Sequence, residues 1–89
     1  MDVIHDTDTC QFHVDVENHR GELDYVLRGD EMTITHPGVP PAIGGRGVAA
    51  ELTRVALETA RREGWKVVPV CSYAAAFIRR HPAFSDLLA

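Results

Sequence analysis

Apolar and polar residues alternate from Cys10 to Glu17 (CQFHVDVE), with Phe12, Val14 and Val16 on one side and Gln11, His13 and Asp15 on the other. A period of two with one apolar face predicts a half-buried strand. Asn18 and Gly21 in NHRGE mark a turn. Glu22–Arg28 then alternates again, placing Leu23, Tyr25 and Leu27 on one face. After a second turn at Gly29 and Asp30, Glu31–His36 gives a third strand with Met32, Ile34 and His36 on one face. Strands this closely spaced pair as an antiparallel meander. Residues 1–9 are expected to be a flexible N-terminus.

The alternation breaks at PGVPPAIGG, whose prolines and glycines predict an irregular segment. From Arg46 or Gly47 the period becomes helical. Val48, Leu52, Val55, Ala56 and Ala60 form one stripe; Glu51, Arg54, Glu58, Arg61 and Arg62 form the opposite one. Gly64 stops this helix, with Arg61 and Arg62 in its last turn, where cations suit the helix dipole. Lys66–Val70 (KVVPV) is short and almost all apolar, as in a strand buried on both faces. A second helix follows, with Ser72 as cap, Tyr73, Ala74, Phe77 and Ile78 as its buried side, and Pro82 ending it near His81. The order is β-β-β-α-β-α, an α+β domain over residues 1–89. The third and fourth strands flank a βαβ crossover and should lie parallel.

Composition narrows the choice of partner. A chain of 89 residues makes one small domain with room for one site. A net charge of −4 argues against nucleic acid or an acidic membrane surface as partner. The acidic start MDVIHDTDTC does not read as a secretion signal. With no such signal, Cys10 and Cys71 are expected as free thiols and the location as cytoplasmic. The five histidines and two cysteines follow no zinc spacing, so no metal is expected, and Cys10 is expected to be a strand residue without a role.

The chemistry concentrates at GGRGVAA, Gly44 to Ala50. A strand, a glycine turn and a helix start form an anion site, because backbone N–H groups point outward and the helix dipole favours negative charge. The turn is not a Walker A loop, since Val48 follows Gly47 where lysine is required. Gly45, Gly47 and Ala50 match the dinucleotide fingerprint G-x-G-x-x-A. That fold, however, needs its glycines directly after the first strand and an acid at the end of the next, and neither is present.

The stretch VPPAIGGRGVA, Val39 to Ala49, resembles the pyrophosphate loop of the GNAT superfamily of acetyl-CoA-dependent N-acetyltransferases. Val39 and Pro41 stand for its Val-x-Pro segment, and Gly47 and Ala49 for the closing glycine and small residue. Gly44 stands where glutamine or arginine is usual, a position at which a backbone amide does the binding. The second half is similar to the small single-domain members of about 90 to 100 residues in the family resemblance, through the Val68-Pro69-Val70-Cys71 strand end and the Arg80-His81-Pro82 and Phe84 that follow. His36 to Pro41 (H-x-x-V-P-P) also fits, so the resemblance spans roughly residues 10 to 88.

The resemblance implies a minimal GNAT-like fold and an acetyl-CoA site. The pyrophosphate would rest on the amides of Gly44, Gly45, Arg46, Gly47, Val48 and Ala49. The pantetheine arm would enter between the third and fourth predicted strands near Thr35, His36 and Val39, with the thioester reaching Cys71. Arg46, Arg79, Arg80 and His81 are the candidates for the 3′-phosphate and adenine. The N-terminal arm that builds the acceptor pocket in full-length members has no counterpart in the matched residues.

Each role has a plainer competitor. Cys71 falls at a strand end before a helix N-terminus, a setting that favours a thiolate able to accept an acetyl group, but small buried cysteines are common. His36 could serve as general base or as a structural histidine. Tyr73 is read as core packing, and Arg79 and Arg80 as either phosphate ligands or a solvated helix end. The resulting expectation is transfer of acetyl from acetyl-CoA to an unnamed primary amine. A non-catalytic acyl-CoA-binding or regulatory module is the alternative, and a plain interaction domain is a weaker third. Exposed sheet edges leave both a monomer and a homodimer open.

Overall fold

The predicted meander carries one strand more than the alternation implies. In the computed structural model, which describes all 89 residues, the elements are β1 (Ile4–Asp6), β2 (Gln11–Val16), β3 (His19–Arg28), β4 (Glu31–Gly38), α1 (Val48–Glu63), β5 (Lys66–Pro69) and α2 (Ser72–Arg80). Short 3-10 turns cover Pro41–Ile43 and Pro82–Leu87. The five strands form one mixed sheet in the order β1-β2-β3-β4-β5, antiparallel up to β4. β4 and β5 are parallel across the α1 crossover, as expected. No helix is long and apolar enough to cross a membrane.

One core joins sheet and helices. Phe12, Leu23, Met32 and Ile34 from the sheet pack with Leu52, Ala56, Leu57 and Ala60 of α1 and Phe77 and Ile78 of α2. Burying each of the larger side chains among these contributes roughly 1.5–3 kcal/mol. Thr53 and Thr59 also face inward on α1, each donating its hydroxyl at 2.8 Å to the carbonyl one turn earlier, on Ala49 and Val55. The hydroxyls are thereby satisfied without a tertiary partner.

Three local readings change. The turn after β2 consists of Glu17 and Asn18, both at positive φ (49° and 64°), and Gly21 lies inside β3. Glycine is there for space: a Cβ at Gly21 would come within 2.7 Å of Val48 Cγ1. Cys10 lies in the turn before β2, also at positive φ (54°). His36 is exposed rather than on the core face with Met32 and Ile34. The register shifts so that Tyr25 faces Ile34 while Asp24 faces His36, which leaves Thr35 as an extra residue. Such a bulge reverses the alternation beyond it.

The segment expected to be a flexible N-terminus supplies β1, anchored by His5. Its imidazole stacks on Phe12 with ring centroids 4.1 Å apart, and its Nε2 lies 2.6 Å from the Tyr25 hydroxyl. Burial first, and then the Arg62 cation, hold His5 below its ordinary value of 6.5. The folded protein therefore favours neutral His5. This stabilisation is complete above the unfolded value and is lost as pH falls below it. Thermal melts between about pH 7.5 and pH 5 should show a smaller loss of stability for His5→Phe than for the wild type, because phenylalanine keeps the stack and cannot titrate. Equal losses in the two proteins would exclude His5 as the source.

Candidate functional site

The chain leaves β4 at Gly38, and the 3-10 turn sinks Ile43 into the core as an anchor. Gly44 closes that turn by donating its N–H to the Pro41 carbonyl at 3.1 Å. Gly45 (φ 76°) and Gly47 (φ 77°) then take left-handed backbone, which glycine adopts without steric cost. Gly47 is also the N-cap of α1, and no side chain caps the helix there. As a result, the backbone N–H groups of Gly45, Arg46, Gly47, Val48, Ala49 and Ala50 donate to no protein acceptor. Consecutive free donors at a helix start are an arrangement that can receive an anion.

All of these residues except Arg46 line a concave pocket of about 310 Å³. Val39, Gly44, Gly45, Gly47, Val48 and Ala49, all expected from the sequence, line it, and Ile43, Ala50 and Tyr73 complete the wall. Tyr73 was expected in the core. It is half-buried against the core and also faces the pocket from the first turn of α2. Its position two residues beyond Cys71, in the first turn of a helix, was the available signal.

A fork in the sheet adjoins the pocket through that same turn. β5 pairs with β4 only as far as Pro69 opposite Ile34, while β4 runs on to Gly38. Proline has no N–H to continue a ladder. The Cys71 N–H donates to the Ile34 carbonyl at 3.2 Å, at the point where the strands part. Cys71 is a half-buried free thiol in extended backbone at the N-cap of α2, and its side chain makes no capping bond. Beyond the fork, Thr35 donates its hydroxyl to the Asp24 carbonyl at 3.2 Å, and His36 stands exposed in the next position of β4.

The remaining cations lie elsewhere. Arg46 reaches away from the pocket to Glu17, with Nη1 2.7 Å from Oε1, and holds the Glu17 carboxyl below the usual carboxylate range. Arg79 and Arg80 are exposed in the last turn of α2, about 10 Å along the helix from Tyr73 at its standard rise. His81 stacks on Phe77 at 4.1 Å, with Nδ1 2.9 Å from the Phe77 carbonyl. No group of three or more His, Cys, Asp or Glu side chains is placed to hold a metal ion.

This arrangement agrees with the comparisons to known proteins. The family model described as "GCN5-related N-acetyl-transferase" matches residues 11–87, so the chain belongs to that family. The family takes acetyl-CoA as its cosubstrate. An NMR solution structure of a "GCN5-like putative N-acetyltransferase" from Staphylococcus aureus is similar with a TM-score of 0.76 at 26% identity. The match covers 99% of this chain and 87% of that one. No curated protein matches the chain.

Proposed function

We propose that this protein binds acetyl-CoA on the Gly44–Ala50 loop and transfers the acetyl group to a primary amine at the fork between β4 and β5. The observation that carries the proposal is the run of six unbonded N–H groups, five of them on residues that line a pocket also walled by Tyr73, two residues from the free thiol of Cys71. The N–H groups would hold the pyrophosphate. Val39 and Thr35 would border the pantetheine arm, which takes the place of the strand that β5 no longer provides. Arg79, Arg80 and His81 are the proposed partners of the 3′-phosphate and adenine.

At the fork, two routes are open, one through Cys71 and one through His36. In the relay, the Cys71 thiolate attacks the thioester carbonyl and expels the CoA thiolate; the amine then displaces Cys71 from the new thioester, regenerating its thiolate, and the proton the amine loses neutralises CoA as its thiol. In direct transfer, His36 accepts the proton that the attacking amine gives up. In both, a backbone N–H at the fork would stabilise the developing oxyanion. A second reading, a non-catalytic acyl-CoA-binding module, is favoured by the open outer face of the sheet, where Asp15, Val26, Thr35 and His36 are all exposed.

Intact mass after incubation with acetyl-CoA, together with calorimetry of CoA binding, separates these readings. Binding with a single acetyl adduct that is absent in Cys71→Ser is the expected result and supports the relay. Binding and amine acetylation without an adduct favour direct transfer, and binding without acetylation of any amine favours the module. Absence of CoA binding at millimolar concentration would overturn the acetyl-CoA reading.

A further inference from the structure

The hairpin turn between β2 and β3 has a residue that suits its backbone poorly. Two-residue turns with both φ values positive favour asparagine, aspartate and glycine. Asn18 fits this preference, whereas Glu17, at φ 49°, bears the Cβ clash of the left-handed region without the short polar side chain that lets asparagine offset it by bonding locally. Its carboxylate gains no partner within the hairpin. It bonds instead to Arg46, the one cation of the Gly44–Ala50 loop, at 2.7 Å. Gly45 and Gly47 line the pocket on either side of Arg46, while the guanidinium between them is drawn out toward the hairpin.

Resting on the acetyl-CoA reading above, we propose that Glu17 is an internal competitor of the ligand's phosphates: it holds Arg46 against the β2–β3 turn, and acetyl-CoA binds by taking Arg46 from it. Glu17 weakens binding in two ways that have the same sign. It withholds the loop's cation, and it places a carboxylate beside a surface built for an anion. Both partners are about half exposed or more, at 47% for the Arg46 side chain and 65% for Glu17, so the exchange needs no rearrangement of the core. Glu17 is thus a positioning residue, acting on the ligand through Arg46 from a different hairpin.

The test is calorimetry with CoA on the wild type, Glu17→Gln, Arg46→Gln and the double variant. Glutamine keeps the shape of the side chain and removes its charge. Glu17→Gln should bind CoA about two- to fivefold more tightly, the scale that an exposed ion pair allows. The gain should shrink as salt is added and be clearly smaller in the Arg46→Gln background, where only the direct repulsion is left to remove. Unchanged or weaker binding by Glu17→Gln would overturn the proposal. An equal gain without Arg46 would also overturn it, leaving only repulsion between Glu17 and the ligand. If the wild type binds no CoA, the acetyl-CoA reading itself fails; if it binds and Glu17→Gln changes nothing, the competition alone fails.

Discussion

Replacing Gly21 with valine should lower stability and ligand binding together. The first added carbon would stand 2.7 Å from Val48 Cγ1 and 3.4 Å from Leu52 Cδ1, both on α1. Val48 is β-branched and held to one rotamer in a helix, so it cannot swing aside. The first turn of α1 would have to lift from β3. Overpacking of this kind costs roughly 1–3 kcal/mol, and valine should fall at the upper end. In a domain of this size each kcal/mol lowers the melting temperature by about 4–8 °C, so a loss of more than 10 °C is expected. The same turn carries the free N–H groups, so calorimetry should show weakened CoA binding as well. Adding Val48→Ala to Gly21→Ala should recover part of the stability, because the two changes share one space. A Gly21→Val protein that melts within a few degrees of the wild type would show that α1 yields easily.

Proline at Ala49 should separate binding from folding. Ala49 is the second residue of α1, and its N–H donates to nothing in the protein. The first turn of a helix tolerates proline because the lost donor has no helical partner there. The Ala49 carbonyl still accepts from Thr53, so the helix keeps that contact. What disappears is one donor to the proposed pyrophosphate. A hydrogen bond to a charged group is worth about 1.5–3 kcal/mol, so CoA affinity should fall at least about tenfold while the melting temperature changes by only a few degrees. Unchanged affinity would remove this loop from the ligand site.

The sequence made the helices legible because their apolar stripes are long and their ends are marked by Gly64 and Pro82. The glycine loop was legible because left-handed backbone at a helix start demands glycine, and most of the expected lining residues do line the pocket. β1 was not, since its three residues carry too short a pattern and are held by Phe12 and Tyr25 from other strands. Gly21 was misread because a glycine that yields space to a helix and one that turns the chain look alike in sequence. His36 shared the phase of Met32 and Ile34 until the extra residue at Thr35 reversed it, and bulges leave no mark on the alternation. Arg46 is legible in the sequence as the loop's one cation, but its partner Glu17 lies in the β2–β3 turn, a contact made only by the folded chain.

The parallel pairing of β4 with β5 also bears on the order of assembly. β1 to β4 are joined by short turns and meet their neighbours locally, whereas Glu31 must wait for Lys66 to arrive across the whole glycine loop and α1. Closing a long segment loses more chain entropy than forming a hairpin, and contacts of large sequence separation slow folding. The meander is therefore free to form early as a template, and the crossover that carries the Gly44–Ala50 loop is completed last. A ligand that bridges the fork would act on this late step, slowing the release of β5 more than the loss of the hairpins.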